Sequence, residues 1–239
     1  MTQVLGIVKE GKLIPQDLWL KFVSSLENDF DDLETNKERA KRELAEAIIQ
    51  AVKKRIVPKF GILFSGGVDS SLIAFVAKQL KCSFTCYTVG IENSDDIVWA
   101  QKVANEYKFN FKYKILSLEE FENVVKNVVK LLNDSDIVKV SVGAVLYSAG
   151  KLALSDGNCI LFGGLGSEEI FAGYQRHEGA FKGNNFEALH KECWNGMRNM
   201  WGRDLTRDFT IAKALGLDIR TPFLDKDLMK VAMNIHPMF

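Results

Sequence analysis

The stretch Gly61-Ile62-Leu63-Phe64-Ser65-Gly66-Gly67-Val68-Asp69-Ser70-Ser71 decides the fold of this chain. Its apolar start, GILF (61–64), predicts a short buried strand, and the mostly apolar run SLIAFVAKQL (71–80) predicts the helix that follows. Gly66 and Gly67 permit backbone torsions and close contacts that a side chain would prevent. Backbone N–H groups in such a turn, at the positive end of a helix, favour an anion. The stretch therefore predicts a phosphate site.

The side chains of this loop indicate which phosphate ligand it binds and which bond of that ligand is cleaved. Ser65, Ser70 and Ser71 can donate hydroxyl hydrogen bonds to phosphate oxygens, whereas Asp69 would repel them, so a carboxylate here implies a bridging Mg²⁺. The loop lacks the GxxxxGK[ST] pattern and its lysine, which favours cleavage elsewhere than at the terminal phosphate. A serine-capped tight turn would explain SGG alone. The full SGGxDSS pattern between a strand and a helix favours nucleotide binding.

Strands and helices alternate outward from the loop. Further strands are predicted at CSFTCYTVG (82–90), FNFKYKIL (109–116) and CILFGG (159–164), and further helices at 36–56, 97–107, 119–132 and 142–154. This order predicts an α/β fold with a doubly wound, mostly parallel sheet and a helical, irregular part after Gly166. Both glycine turns, 65–67 and 163–166, follow strands, where ligands of such folds bind. Residues 1–35 are predicted to form an N-terminal appendage, and 36–239 the nucleotide-binding domain.

Composition excludes several classes of protein. The 239 residues carry 31 basic and 31 acidic side chains, so neither nucleic acid nor an anionic membrane is an expected partner. No stretch is expected to approach the ~18 apolar residues of a membrane span, and the N-terminus shows no signal peptide. The four cysteines form no disulfide framework and are expected to be buried free thiols in the cytoplasm.

Two further constellations contain charged residues. In GGLGSEEIFAGY (163–174), the adjacent Glu168 and Glu169 cannot share a helix face, so one can meet Mg²⁺ while the other packs or binds a basic group. A solvated helix start would explain the same acids. Farther on, Asp218, Arg220 and Asp225 are predicted to form a buried ion-pair network, joined by Arg207–Asp208. Composition alone favours scaffolding over catalysis for this network.

These motifs resemble one family. SGGVDSS is similar to the signature of the PP-loop ATP pyrophosphatases, which cleave ATP to AMP and pyrophosphate. LFGGLGSEEIFAGYQRH (161–177) and RDLTRDFTIAKALGLDIRTPFLD (203–225) resemble two segments of the asparagine synthetases, in the family's order. In motif detail the chain looks most like asparagine-synthetase-domain-containing relatives. The resemblance implies a PP-loop (adenine nucleotide alpha-hydrolase-like) fold, ATP and Mg²⁺ as cofactors, and adenylylation of a small-molecule carboxylate before an amine or ammonia displaces AMP.

The resemblance also implies roles for individual residues. Asp69 and Glu168 would hold Mg²⁺, although Glu168 is one methylene longer than the family's usual aspartate. The loop positions Phe64 to Ser71 would contact ribose and phosphates, and the backbone at Val89-Gly90 and Gly163-Gly164 would contact the adenosine. Arg220 and Asp218 would lie near the cleft, with Asp218 in place of the usual glutamate.

Three departures from the family pattern leave the acceptor chemistry open. Leu165 stands where the family has a glutamate close to the reacting intermediate. Thr2 replaces the glutaminase cysteine and residues 1–35 are too few for that domain, so nitrogen is expected from free ammonia, a separate ammonia-supplying protein or a substrate amine. The family's later lysine segment, which supplies a positive charge near the phosphates, is not found up to Phe239, as expected of a truncated chain or of a naturally short relative.

Two alternatives therefore stay open: a weak or inactive nucleotide-binding or assembly protein, and a PP-loop enzyme that modifies RNA. Neutral charge and the lack of a CxxC motif argue against the second. The apolar stretch around Leu18–Phe22 is expected to cover the domain's own sheet or to pack on a neighbouring subunit of a homo-oligomer.

Overall fold

The computed structural model of the chain describes residues 7–9 and 12–239. The sequence also predicts short strands at VLGIV (4–8) and KLIP (12–15) around a turn at Gly11, and of these the turn and residues 4–6 lie outside the described residues. The strands are β1 Val8–Lys9, β2 Lys12–Leu13, β3 Phe60–Leu63, β4 Phe84–Ile91, β5 Phe111–Leu116, β6 Ile160–Phe162 and β7 Asp218–Arg220. The α-helices are α1 Gln16–Ser24, α2 Lys37–Lys53, α3 Val68–Gln79, α4 Asp95–Tyr107, α5 Leu118–Leu132, α6 Ile137–Ser155, α7 Ser167–Ile170, α8 Gln175–Ala180, α9 Phe186–Met200, α10 Thr206–Leu215 and α11 Lys226–Met233. A π-helical turn, Trp201–Leu205, joins α9 to α10, and short 3₁₀ turns occupy Phe30–Asp32 and Pro222–Leu224.

The chain divides into two compact units. The sheet unit comprises Arg55–Gly164 and Arg203–Arg220, and the helical unit comprises the described residues up to Lys54, Leu165–Gly202 and Thr221–Phe239. The glycine-serine loop (residues 64–71) belongs to the sheet unit. The predicted separation of residues 1–35 from residues 36–239 stays a prediction.

A five-stranded parallel sheet forms the centre of the sheet unit, in the order β5-β4-β3-β6-β7. From β3 the chain moves through α3, β4 and α4 to β5 on one side, and it later adds β6 and β7 on the other side. The strand order therefore reverses between β3 and β6, which is where ligands bind in open α/β sheets. The predicted α/β class and parallel sheet are confirmed.

Both faces of the sheet are covered. Three successive residues of β3, Phe60, Gly61 and Ile62, are buried, although neighbouring side chains of a strand point to opposite faces. Phe60 packs against Phe162 at 4.5 Å between ring centroids. On the other face, Leu161 belongs to a cluster with residues of α6 and α10. Burial on both faces is typical of a parallel sheet with helices on each side.

Strand β7 was not predicted from the sequence, which indicated only helical and irregular structure after Gly166. Asp218 to Arg220 pair with Ile160 to Phe162 and form the edge of the sheet. Gly216, at φ +72°, ends α10 in the left-handed conformation, and Leu217 is buried directly before the strand. Three residues are too few to show an alternating pattern, so only the pairing with β6 reveals the strand.

Helix α6 corrects the expectation that no stretch approaches the length of a membrane span. It begins at Ile137, five residues before the predicted start. An 18-residue window of this 19-residue helix has a mean hydropathy of 1.5, so by length and composition the helix is long and apolar enough to cross a membrane. It packs against α5 and α10, and a Cβ on its Gly143 would lie 2.9 Å from Ile211. The buried side chains of α6, such as Val140 and Leu146, therefore belong to the core of the sheet unit, whereas Ile137 and Val145 are exposed.

In the helical unit, the apolar stretch around Trp19 packs within its own chain. Trp19 on α1 is fully buried, and its indole N–H donates to the Met197 carbonyl of α9 at 3.0 Å. The sequence suggested the sheet or a neighbouring subunit for this stretch, and the structure places Trp19 against a helix. Helix α2 begins at the cap residue Asn36, as predicted, but ends at Lys53 and not near Ile56. Its next residue, Lys54, pairs with Asp225 at 3.1 Å.

A polar network inside the sheet unit should make the stability of the protein depend on pH. Tyr87 is 1 % exposed, and its hydroxyl donates to Asp156 at 2.6 Å and accepts from Asn158. Burial and the Asp156 hydrogen bond raise the pKa of Tyr87 from 10.0 to about 12. Between these values the unfolded chain releases the phenol proton while the folded chain keeps it, so stability falls as the pH rises.

The free energy of unfolding, measured by urea denaturation from pH 9 to pH 12, should therefore fall more steeply in the wild type than in Tyr87→Phe. At pH 7 the variant should be less stable by about 1 kcal/mol, because the hydrogen bonds are lost. Parallel pH curves for the two proteins would contradict the role of the Tyr87 hydroxyl.

Candidate nucleotide site

Phe64 fastens the start of the glycine-serine loop to the core of the sheet unit. Its ring packs edge-on against Phe109 and Phe111, at 5.9 and 6.2 Å between centroids. Its backbone N–H donates to the Tyr87 carbonyl at 2.9 Å, and its carbonyl accepts from the Thr88 hydroxyl. The Phe64 side chain thus faces the core, and its predicted contact with a nucleotide is limited to the backbone.

The predicted phosphate donors hydrogen-bond to one another within the loop. The Ser65 hydroxyl oxygen accepts from the Gly67 N–H at 3.2 Å and lies 3.3 Å from the Ser70 hydroxyl oxygen. The Ser70 hydroxyl lies within 3.3 Å of the Gly67 carbonyl as well. The Ser71 hydroxyl is buried and makes no hydrogen bond to any of the described residues. Because buried hydroxyls are rarely left unpaired, Ser71 fits a site that receives a further polar group.

Gly66 meets two separate requirements of the loop. Its φ of +74° lies in the left-handed region, and a Cβ at this position would lie 2.9 Å from the backbone Cα of Ala100 on α4. Its carbonyl accepts a hydrogen bond of 3.1 Å from the indole N–H of Trp99. The contact between Trp99 and the loop could not be predicted from the sequence, because Trp99 lies 33 residues from Gly66 in the chain. No local signal connects the two residues.

Helix α3 begins inside the predicted loop, at Val68, three residues earlier than expected. The residue at its N-cap is Gly67, and among the described residues no side chain caps it. The first N–H groups of a helix lack intrahelical partners and carry partial positive charge, so this end of a 12-residue helix suits an anion. Val68 is 81 % exposed and Asp69 half-buried in the same first turn.

The second glycine turn, at Gly163 and Gly164, lies beside the start of α3. Gly163, after β6, donates its N–H to the Arg220 carbonyl at 2.9 Å. A Cβ on Gly164 would lie 3.2 Å from the Cβ of Asp69, so the second turn is in close contact with the first turn of α3. At the end of β4, a Cβ on Gly90 would lie 2.8 Å from the Ser94 hydroxyl oxygen, and Val89 is buried. The structure thus brings the turns 64–67 and 163–164 together at neighbouring strand ends.

Arg220 and Asp218 form an ion pair on the edge strand β7, in which Arg220 is buried and Asp218 is half-buried. Arg220 is 2 % exposed, and its Nε and Nη2 donate to Asp218 Oδ2 at 3.2 and 2.9 Å. A third nitrogen, Nη1, donates to the Arg55 carbonyl. These bonds agree with the scaffolding role that composition favoured, because the guanidinium is engaged by the protein itself. The catalytic role of both residues stays a prediction.

Other members of the predicted ion-pair network are also paired. Arg207 on α10 donates to Asp204 at 3.0 Å and to Asp208 at 2.7 Å. Burial raises the pKa of Asp208, although Arg207 opposes the shift. Asp225 belongs to the helical unit, where it caps α11 and pairs with Lys54.

The two adjacent glutamates of α7 have opposite environments. Glu169 is fully buried, and Arg176 lies 3.6 Å from its carboxylate. Arg176 also pairs with Glu192 at 3.2 Å and stacks on Tyr174 at 4.0 Å from the ring centroid. Glu168 is exposed. The expectation that one acid packs or binds a basic group is confirmed for Glu169, and the expectation that the other meets Mg²⁺ stays a prediction for Glu168.

This difference gives a matched pair of variants. Glu169→Gln should lower the free energy of unfolding by about 1–3 kcal/mol, because a buried carboxylate that is ion-paired with Arg176 is replaced by a neutral amide. Glu168→Gln, one residue away and exposed, should change it by less than about 0.5 kcal/mol. Chemical denaturation of both variants measures the effect. Equal stabilities would show that the buried Glu169 carboxylate contributes no more than an exposed one.

Two of the four cysteines lack the lowered pKa that a thiolate nucleophile needs. Burial raises the pKa of Cys193 to about 11, and it also raises the pKa of Cys86 far above its usual value. Cys159 is exposed, so the expectation of four buried thiols is wrong for this residue.

A permanent metal centre is not built into the described part of the chain, in which no group of three or more His, Cys, Asp or Glu side chains is placed to hold a metal ion. Mg²⁺ does not need such a group, since it is commonly bound by one or two carboxylates together with phosphate oxygens and water. The predicted metal role of Asp69 and of Glu168 therefore stays a prediction.

A parallel α/β sheet with two glycine turns at its switch point and an uncapped helix N-terminus is the architecture of a nucleotide-binding α/β protein. The family model described as "Asparagine synthase" matches residues 43–190 and 179–239, and the chain belongs to this family. The expected family resemblance is confirmed.

Curated relatives agree with this assignment. The chain is 38% identical over 204 residues to "Putative asparagine synthetase (glutamine-hydrolyzing) 1" of Methanocaldococcus jannaschii, covering 84% of this chain and 38% of the relative. It is 32% identical to asparagine synthetase (glutamine-hydrolyzing) 2 of Lotus japonicus, covering 81% and 35%. Against asparagine synthetase B of Escherichia coli the identity is 27%, covering 87% and 40%. The chain therefore spans less than half the length of these relatives.

Solved structures of similar shape include two NAD synthetases. The NH3-dependent enzyme of Campylobacter jejuni matches 59% of this chain and 61% of its own at 17% identity, with a TM-score of 0.40. The enzyme of Burkholderia pseudomallei matches 94% and 90% at 12% identity, also with a TM-score of 0.40. Scores this low add nothing to the description of the fold.

Proposed function

We propose that the chain binds MgATP at the glycine-serine loop and adenylylates a small-molecule carboxylate, as the activating half of an amide-forming ligase. The approach of Gly164 to Asp69 carries this proposal. Glycine at this position keeps a side chain from crowding Asp69 in the first turn of α3, whose backbone N–H groups are proposed to bind phosphate oxygens. Family membership supports ATP as the nucleotide.

Asp69 and Glu168 are the residues proposed to hold Mg²⁺. Asp69 lies in the first turn of α3, and Glu168 follows Gly164 by four residues along the chain. When bound, Mg²⁺ would neutralise the charge that develops on the departing pyrophosphate. The start of α3 adds its own partial positive charge.

The proposed reaction has two steps. A carboxylate oxygen of the substrate attacks the α-phosphorus of ATP, the bond from that phosphorus to the bridging oxygen breaks, and pyrophosphate leaves. The nitrogen of ammonia or an amine then attacks the acyl carbon, and AMP leaves with the original carboxylate oxygen. The relatives are named as glutamine-hydrolyzing enzymes. For this chain four points stay predictions: the nitrogen source, a separate ammonia-supplying protein, a homo-oligomer and a cytoplasmic location.

Leu165 favours a second candidate, a nucleotide-binding protein with little or no turnover. It is half-buried directly before Gly166, at the position where the resemblance expects a glutamate. A leucine neither transfers a proton nor pairs with a charged amine. Nucleotide binding would then persist without formation of asparagine.

Isotope transfer separates the two candidates. The protein is incubated with ATP, Mg²⁺, ammonia and a panel of carboxylic acids labelled with ¹⁸O in the carboxylate, and AMP and pyrophosphate are measured. Adenylylation transfers one ¹⁸O to the phosphate of AMP. Tight MgATP binding with no labelled AMP from any acid would favour the non-catalytic candidate, and no MgATP binding would contradict both.

A further inference from the structure

The peptide group between Gly66 and Gly67 is held from both sides. Its carbonyl oxygen accepts a hydrogen bond of 3.1 Å from the Trp99 indole, and its N–H donates to the Ser65 hydroxyl at 3.2 Å. Since the indole nitrogen is a donor only, Trp99 can bind this peptide in one orientation, with the carbonyl facing α4.

The backbone around this peptide group also allows the peptide plane to flip. Turning a peptide plane over changes ψ of the residue before it and φ of the residue after it. Both of these residues are glycines, so the flipped conformation is open to the backbone. Gly67 now has a φ of −66°, and a flip would carry it into the positive range that glycine adopts at no steric cost.

The orientation of this peptide matters for an anion. In the observed loop the Gly67 N–H points into the loop toward Ser65. A flipped peptide would present the Gly66 carbonyl oxygen there instead, and that oxygen would repel phosphate. The loop thus needs a group that keeps the carbonyl on the side of α4.

We propose that Trp99 is a positioning residue that keeps the Gly66–Gly67 peptide in its phosphate-binding orientation. The indole is well placed for this task although the side chain is 51 % exposed. Its Cδ1 lies 3.1 Å from the position of a Cβ on Gly66, so ring and loop are in direct contact. Lys102, one turn along α4, lies over the ring at 5.1 Å from its centroid and restrains it further. The role in nucleotide binding rests on the proposed function, whereas the restraint of the peptide does not.

The chain offers a matched control for this proposal. Trp201 in the helical unit donates its indole N–H to the Ile14 carbonyl at 2.8 Å. Trp201→Phe therefore removes the same kind of hydrogen bond outside the glycine-serine loop. Trp99→Phe keeps an aromatic ring beside Gly66 and removes only the donor.

The first measurement needs no nucleotide. Amide hydrogen exchange at Gly67, followed by NMR, should be roughly 2- to 12-fold faster in Trp99→Phe than in the wild type, the range expected for loss of one hydrogen bond. Trp201→Phe should leave the rate unchanged. An unchanged rate in Trp99→Phe would overturn the proposal even if the protein binds no ATP.

The second measurement is the dissociation constant of MgATP by calorimetry. It should rise by a similar roughly 2- to 12-fold in Trp99→Phe and stay at the wild-type value in Trp201→Phe. Wild-type affinity in Trp99→Phe would overturn the role in binding while leaving the proposed function intact, whereas a wild type that binds no MgATP contradicts the proposed function itself. If Trp99→Phe does not fold, exchange of the Trp99 indole proton in the wild type decides: exchange as fast as a free indole refutes the hydrogen bond.

Discussion

Asp69→Ala should weaken the binding of MgATP by roughly 10- to 100-fold or more, since the loss of a group that only supports a metal ligand already has an effect of this size. The half-buried carboxylate lies in the first turn of α3, beside the Gly164 backbone. Its negative charge is favourable to a nucleotide only through a bridging cation. Titration calorimetry with ATP and excess Mg²⁺ measures the change.

Without magnesium, Asp69→Ala should no longer weaken the binding of ATP. In EDTA, Asp69→Ala should bind free ATP at least as tightly as the wild type, because a repulsive charge next to the phosphates has been removed. Glu119→Ala, which removes an exposed acid from the first turn of α5, is the control and should change neither titration. Equal losses with and without Mg²⁺ would mean that Asp69 supports the loop and does not bind the metal.

Gly66→Ala should produce the largest combined effect on stability and binding. The left-handed backbone costs an alanine about 1–2 kcal/mol. In addition, the new Cβ would lie 2.9 Å from the Cα of Ala100, and backbone cannot move aside as a flexible side chain can. The free energy of unfolding should therefore fall by more than about 2 kcal/mol, and MgATP binding should be lost because the loop shifts away from α4.

Gly216→Ala separates the two causes. Gly216 has a φ of +72°, close to that of Gly66, but a Cβ there would meet no atom within 4 Å. This variant should lose only the about 1–2 kcal/mol of the backbone conformation and should bind MgATP normally. Urea denaturation and calorimetry of both variants test the difference. Gly66→Ala with the stability of Gly216→Ala and normal binding would refute the close packing of the loop on α4.

The order of strands and helices could be predicted because each signal is local. A run of four apolar residues, a glycine turn and an amphipathic helix are contained within short stretches of sequence, and their alternation indicates a parallel sheet. Strand β7 was missed for the opposite reason. Its three residues carry no pattern of their own, and their extended conformation comes from pairing with β6.

The glutamates of α7 show what local helix geometry predicts and what only tertiary packing reveals. Helical geometry alone predicts that Glu168 and Glu169 point apart. Which of them is buried depends on Arg176, which lies in α8 and faces Glu169. The exposed acid therefore became known only from the packing of the helical unit.

By itself, the sequence determined the parallel α/β class, the glycine-serine loop and the family, since each depends on residue types in a fixed local order. Only the tertiary structure decided that Gly164 approaches Asp69, that Arg220 and Asp218 pair on an edge strand, and that Trp99 holds the Gly66 carbonyl. These contacts join segments far apart in the chain. Their partners are selected by the packing of strands and helices, and no local pattern of residues records that selection.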